Sequence, residues 1–186
     1  MFHGGFAAYA FYGALGIWGV GEAVLQVRAR TGERDPSYVW MILGSVLGVV
    51  LAFRVAGDGA RLPGPAWAPV AVGVAVMCAG MLLRYWSVRT LGRFFTVTVE
   101  VGADHELVDT GPYTLLRHPS YTGMLVVYLG AGIALDSWLS VAAAVLPPAA
   151  AVVNRIRHEE RMLRTRLGDR YVVYATRTRR LVPGVW

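Results

Sequence analysis

The sequence predicts an all-α integral membrane protein of about five transmembrane helices, and three observations carry that prediction. First, 55% of the 186 residues are hydrophobic and 16% are charged, with a mean hydropathy of +0.46, which is too oily for an ordinary soluble domain of this length. Second, apolar runs of about 20 residues, the length a helix needs to cross the hydrocarbon core, recur along the chain. Third, all 18 basic residues are arginine, and nine of them follow Val153 while the apolar runs are nearly free of them.

The elements follow in order. The opening "MFHGGFAAYAFYGALG" lacks the basic n-region and small-residue cleavage site of a signal peptide, so 5–26 reads as a retained spanning helix. Runs at 38–56 and 66–86 supply two more spans, separated by the turn-rich "RARTGERDPS" and "GDGARLPGPA". The apolar region 121–153 is too long for one crossing, and "LDSWLS" at Asp136 interrupts it as the tip of a helical hairpin. Patterns such as "GALGIWGVG" and "GSVLG" permit close helix contact. After Val153 a helix is expected with Ile156, Leu163 and Leu167 on one side, leaving the membrane at Asn154 and stopping near Gly168.

The chain therefore reads as one domain, 1–186. It comprises three N-terminal transmembrane helices (1–86), a connector (87–120), the hairpin (121–153) and a C-terminal cytoplasmic helix and tail (154–186). Arg28, Arg30 and Arg34 flank the same side as the arginine-rich C-terminus, so the positive-inside rule puts the N-terminus outside and the C-terminus in the cytoplasm.

Several function classes fall away. A single cysteine, Cys78, within an apolar run provides neither a disulfide framework nor a thiolate cluster, and no metal is expected. The arginine bias by itself does not indicate nucleic acid. No G-x-G-x-x-G follows a strand, which excludes a soluble dinucleotide-type fold. Glu22, inside the first span, is either functional or close to the interface, and the sequence leaves both readings open.

The untypical chemistry is concentrated in "HELVDTGPYTLLRHPSYTG", 105–123, and in "RIRHEER", 155–161, which flank the same hairpin and meet when it closes. Taken singly, each feature has an ordinary explanation. Arginines at a cytoplasmic helix end face lipid headgroups. Glu159 and Glu160 pair with arginines one turn away on a surface. Gly111 with Pro112 makes a turn, and His118 with Pro119 starts a helix.

Together, and in this order, "GPY", "RHPSYTG", Arg155 with Glu159 four residues on, and "LGDRYVVY" resemble the isoprenylcysteine carboxyl methyltransferases and the related phospholipid methyltransferases. The resemblance is to a bacterial-type member and runs from about Leu91 to the C-terminus, roughly half of the chain. It implies an integral membrane enzyme using S-adenosylmethionine. The cofactor site it implies is His105, Glu106, Leu107 and Val108, then Tyr113, then His118, Pro119, Ser120 and Tyr121, and finally Glu159. The substrate-side arginine, four residues before that glutamate, matches Arg155, which becomes the catalytic candidate. Relatives with additional N-terminal helices and a longer acidic run differ from this chain, where only Glu159 and Glu160 stand.

The residue types suit such a cofactor. A carboxylate binds an ammonium or ribose hydroxyls, and tyrosines offer aromatic and hydroxyl contacts. Methyl transfer is an in-line displacement in which the protein aligns nucleophile, methyl and sulfur. A site at the membrane face suits a lipidic acceptor entering sideways and a soluble cofactor entering from the cytoplasm, and the resemblance favours carboxyl O-methylation of an isoprenylcysteine-like lipid. O- or N-methylation of a phenolic lipid, isoprenoid or phospholipid is the alternative, and a noncatalytic membrane scaffold holding anionic lipids is an alternative of another class. The expected location is the bacterial cytoplasmic membrane, and the sequence leaves the oligomeric state open.

Overall fold

The computed structural model describes residues 5–28, 36–95, 107–184 and 186. Within them the chain is helical: α1 (Gly5–Arg28), α2 (Pro36–Arg54), α3 (Ala68–Leu91), α4 (Pro119–Ala134), α5 (Trp138–Leu167) and α6 (Asp169–Arg177), with short 3-10 turns at Gly92–Phe94 and Gly111–Thr114. It is an all-α integral membrane protein. Four helices, α1, α2, α3 and α5, are long and apolar enough to cross a membrane. The fifth expected span, α4, has 16 residues, rising about 24 Å, short of the ~20 residues of a full crossing.

Small residues decide how the helices pack. Gly73 and Gly80 of α3 face Gly130 and Gly123 of α4, each pair seven residues apart, so the two backbones touch directly. A Cβ at Gly80 would lie 2.6 Å from the Gly123 carbonyl oxygen, and one at Gly130 would lie 2.5 Å from that of Gly73. Gly44 and Gly48, the "GSVLG" pair, do the same for α2 against α5, where Pro148 and Ala151 fill the space. The expectation for "GALGIWGVG" is not met among the described residues. At Gly13, Gly16, Gly19 and Gly21 a Cβ would meet nothing within 4 Å, because these glycines lie on the exposed side of α1, whose packed side carries Phe11, Ala14, Leu15 and Trp18.

The hairpin tip is where "LDSWLS" puts it. Asp136 adopts φ 56°, a left-handed conformation that Asp tolerates better than most residues. Its carboxylate pairs with Arg61, the Ser137 hydroxyl donates to the Asp58 carbonyl at 2.6 Å, and the Trp138 N–H donates to the Ala60 carbonyl at 3.2 Å. The tip is thus pinned to the α2–α3 loop.

From Trp138, α5 runs 30 residues without a break, about 45 Å against a hydrocarbon core of about 30 Å. The helix is continuous through Asn154, so the expected C-terminal helix begins as the continuation of the last span. It ends at Gly168, whose φ of 54° suits the residue without a Cβ. Ser140, Ala144, Pro148, Val152, Ile156 and Glu160 are all buried, a stripe with a spacing of four that carries one face of α5 from the bundle core into the polar region.

The glycine contacts generate a paired prediction. Gly130→Val should cost about 1–3 kcal/mol or more, since backbone rather than a flexible side chain blocks the new Cβ, whereas Gly16→Val should leave the thermal midpoint of detergent-solubilised protein nearly unchanged. Equal losses in the two variants would contradict the packing.

Candidate functional site

The polar segment before α4 is built by its neighbours. Gly111, at φ 56°, opens the turn Gly111–Thr114, and Pro119 takes the first position of α4, where a missing N–H costs nothing. The C-terminal tail straps alongside. The N–H groups of Arg117 and His118 donate to the carbonyls of Arg179 and Arg180 at 2.7 and 3.1 Å, and the Arg179 N–H donates to the Leu115 carbonyl at 3.0 Å. The "LGDRYVVY" motif supports the segment from below, with the Tyr174 hydroxyl donating to the Tyr113 carbonyl at 2.8 Å.

At the centre, the Tyr121 hydroxyl donates to Glu159 Oε2 at 3.0 Å and accepts from Arg155 Nε at 3.2 Å. Arg155 also donates through Nη1 to the Ser37 hydroxyl at 2.8 Å, and it is buried to 2% exposure. Arg155 and Glu159 stand one turn apart on α5, so a single tyrosine from α4 can bridge them. The His118 ring stacks on Tyr121, with centroids 5.8 Å apart, and its Nδ1 lies 3.9 Å from Glu159 Oε2. Glu159 remains partly open, with a side-chain exposure of 26%. Tyr113 is buried nearby; burial, followed by the Glu159 charge, pushes its hydroxyl well above the usual phenol range, so it stays a donor.

The structure therefore brings together Tyr113, His118, Tyr121, Arg155 and Glu159. Ser120 points elsewhere, its hydroxyl accepting from Arg84 Nη1 at 2.7 Å, and Pro119 is buried as the helix start. Leu107 and Val108 are half-buried in the preceding connector. His105 and Glu106 lie outside the described residues. Among the described residues no three His, Cys, Asp or Glu side chains converge to hold a metal.

Sequence reasoning missed three features. Glu160 is not a surface acid: it is 4% exposed, accepts from Arg117 Nε at 2.8 Å and from Arg180 Nε and Nη2 at 3.1 and 2.9 Å, and has His118 Nε2 3.6 Å away. Arg117 in turn donates to the carbonyls of Ala175 and Thr178 at 2.8 and 2.7 Å, closing the end of α6. The signal was present, because Glu160 falls on the spacing-of-four stripe through Val152 and Ile156. The second is Ser37, the α2 partner of Arg155. The third is a bidentate pair between Glu22 on α1 and Arg84 on α3, with Nε–Oε1 at 2.5 Å and Nη2–Oε2 at 2.7 Å. This pair stands in a cleft of about 670 Å³ between α1 and α3, lined by Trp18, Met81, Tyr85 and Phe95 among others.

Removing the acid that these arginines share leaves the buried Arg117 without its carboxylate, and breaking a buried pair in this way typically costs about 3–5 kcal/mol. Glu160→Ala should accordingly lower the unfolding midpoint steeply, while Arg166→Ala, on the exposed face of α5, should change it little. A Glu160→Ala midpoint matching the wild type would refute the hub.

Comparison with known proteins bears on this geometry. The phospholipid methyltransferase family model matches residues 68–170, which include Arg84, the whole of α4 and the Arg155–Glu160 stretch. Protein-S-isoprenylcysteine O-methyltransferase B of Arabidopsis thaliana is 34% identical over 115 residues, covering 61% of this chain and 58% of that protein. The protein-S-isoprenylcysteine O-methyltransferase of Tribolium castaneum is 35% identical over 105 residues, 55% of this chain and 37% of that one. The chain thus spans less than two thirds of the length of these relatives. A solved structure of the eukaryotic intramembrane Ras methyltransferase, an isoprenylcysteine carboxyl methyltransferase, superposes with a TM-score of 0.67 at 25% identity, over 96% of this chain and 68% of that one. With the family model matched over more than half of its length, the protein belongs to the phospholipid methyltransferase family.

Proposed function

We propose that the protein is an S-adenosylmethionine-dependent methyltransferase acting on a lipidic acceptor at the cytoplasmic membrane face, with carboxyl O-methylation of an isoprenylcysteine-like lipid as its reaction. The observation that carries this reading is the Arg155–Tyr121–Glu159 linkage: a buried cation and a partly open carboxylate joined through one hydroxyl. The relatives named for isoprenylcysteine O-methylation support the acceptor class.

The residues present suit the cofactor. Glu159 offers a carboxylate to an ammonium or to ribose hydroxyls, and Tyr113, Tyr121 and His118 offer aromatic and hydroxyl contacts beside it. By family resemblance His105, Glu106, Leu107 and Val108 are assigned to the same proposed site, and Pro119 and Ser120 through the turn that starts α4. Bound there, S-adenosylmethionine supplies the methyl group from a cationic sulfonium.

The chain's own part is alignment and charge. A carboxylate acceptor has a reference pKa of about 4 and is ionised at neutral pH, so it needs no base. Arg155 holds that anion through planar, bidentate donors, and Tyr121 and Ser37 fix the guanidinium's orientation from α4 and α2. Burial keeps water from the nucleophile. The open α1–α3 cleft suits sideways entry of a lipid from the bilayer.

Two measurements test this reading. Calorimetry with S-adenosylmethionine should show weaker binding for His118→Ala and Tyr121→Phe and little change for Arg166→Ala; equal losses in all three, or no saturable binding to the wild type, would favour a noncatalytic lipid-holding protein. The orientation in the bacterial cytoplasmic membrane, N-terminus outside and C-terminus inside, rests on the arginine distribution. Cytoplasmic thiol reagents should label Arg177→Cys and spare Ala60→Cys, and the reverse pattern would overturn it.

A further inference from the structure

Glu22 takes no part in the chemistry just proposed, yet it holds an unusual position. The Arg84 guanidinium, 8% exposed, offers five N–H donors; Nε and Nη2 each donate to Glu22, while Nη1 donates to the Ser120 hydroxyl. The Trp18 ring lies under the same guanidinium at 5.6 Å. Glu22 itself is 21% exposed, and it is exposed toward the cleft that both residues line. The helix that carries it is held over a short face: Phe11 and Ala14 are its buried residues, with Ala7, Leu15 and Trp18 partly buried against the core, and a Cβ added at Gly13, Gly16, Gly19 or Gly21 would meet nothing within 4 Å.

The pair is also close to the proposed reaction centre. Ser120 precedes Tyr121 in α4. Tyr38, at the start of α2 beside the Arg155 partner Ser37, lies within electrostatic reach of Glu22, Arg155 and Arg84 together, and Tyr113 lies within reach of Glu159 and Arg84. One side of the site thus carries a bidentate carboxylate–guanidinium contact made by the protein, on the wall of a cleft of about 670 Å³.

We propose that Glu22 is a displaceable stand-in for the acceptor's own carboxylate at a selection step that precedes its hold by Arg155: a lipid entering the α1–α3 cleft first exchanges its anionic end-group for Glu22 on Arg84, and lipids with neutral ends are rejected because they cannot. The proposal rests on the lipid-acceptor reading above and deepens it by assigning selectivity. Its physical basis is that stripping Arg84 of its anion is strongly unfavourable, whereas replacing one carboxylate by another conserves the charge-assisted hydrogen bonds of Arg84 and leaves the displaced Glu22, already 21% exposed, to solvation at the open side of the cleft. A neutral amide or alcohol would leave Arg84 short of an anion, so selection acts against the wrong ligand as well as for the right one. Glu22 acts through Arg84 and is a specificity-determining, positioning residue.

The test uses the full chain in lipid nanodiscs and two probes, N-acetyl-S-farnesyl-L-cysteine and its carboxamide, with dissociation constants read by calorimetry. The wild type should bind the acid more tightly than the amide. Glu22→Gln keeps the shape but removes the competing charge, and it should tighten acid binding by about tenfold and leave the amide unchanged, the difference expected between charged and neutral hydrogen-bond partners. Glu22→Asp, too short to reach both nitrogens, should shift acid binding in the same direction by less. Weaker acid binding in Glu22→Gln, or equal shifts for both probes, would overturn the proposal, since Glu22 would then merely orient Arg84 or shape the cleft. So would a wild type that fails to prefer the acid. Methyl transfer from labelled S-adenosylmethionine is followed separately on the same preparations. Transfer that persists while the acid preference ignores Glu22 overturns this proposal alone, and absent transfer with the preference behaving as described overturns the methyltransferase reading alone.

Discussion

The unbroken helix α5 is the constraint on which the rest depends. Its buried stripe at every fourth residue packs Ala144 and Pro148 against the glycines of α2 and brings Val152 and Ile156 into the core. The same face then delivers Arg155 and Glu160 to the polar end, with Glu159 beside them. One continuous helix, with Pro147 and Pro148 inside it, therefore sets the heights of the proposed acceptor-side cation, the proposed cofactor-side carboxylate and the structural acid. A break at Asn154 would have freed the polar end to move relative to the bundle. Continuity holds it in register with α4, where Tyr121 closes the linkage. Sites built on helices hold their geometry better than sites built on loops.

Burying so many charges in a small membrane protein is workable because nearly every one has several partners. Glu160 accepts from two arginines, and Arg117 donates through Nη1 to the Ala175 and Thr178 carbonyls at the end of α6. Arg84 is shared between a carboxylate and a serine. In low-dielectric surroundings, isolated charges of this kind would be far more expensive than any hydrophobic contact the chain makes. The pairings also join distant parts of the chain: Glu160 connects α5 to the tail, and Arg84 connects α3 to α1 and α4. The polar network is in this sense also the scaffold of the site.

Much of this was legible in the sequence, and the parts that were not have physical reasons. Apolar run lengths exposed the spans, and Asp136 exposed the hairpin tip, because both follow from local chemistry. Motif order identified Tyr121, Arg155 and Glu159 as candidates, and the fold juxtaposes them. Glu160 was misjudged because an acid next to arginines reads as a solvated surface, and only the stripe through Val152 and Ile156 reveals its direction. The α1 glycines were misjudged for the opposite reason: small residues permit close packing but do not require it, and here Gly80 with Gly123 and Gly73 with Gly130 make the contact instead. Ser37 carries no local signal, and although an acid inside the first span marked Glu22, its partner Arg84 comes from a distant helix and could not be read locally.

The central claim is that Arg155 holds an ionised carboxylate for methylation. Its most direct test is the pH dependence of labelled methyl transfer to N-acetyl-S-farnesyl-L-cysteine by the wild type and Arg155→Lys. An acceptor of reference pKa about 4 predicts a rate nearly flat from about pH 6 to 9, with marked loss in Arg155→Lys because an ammonium cannot reproduce the planar contact. A rate climbing steeply with pH, or full activity in Arg155→Lys, would contradict it.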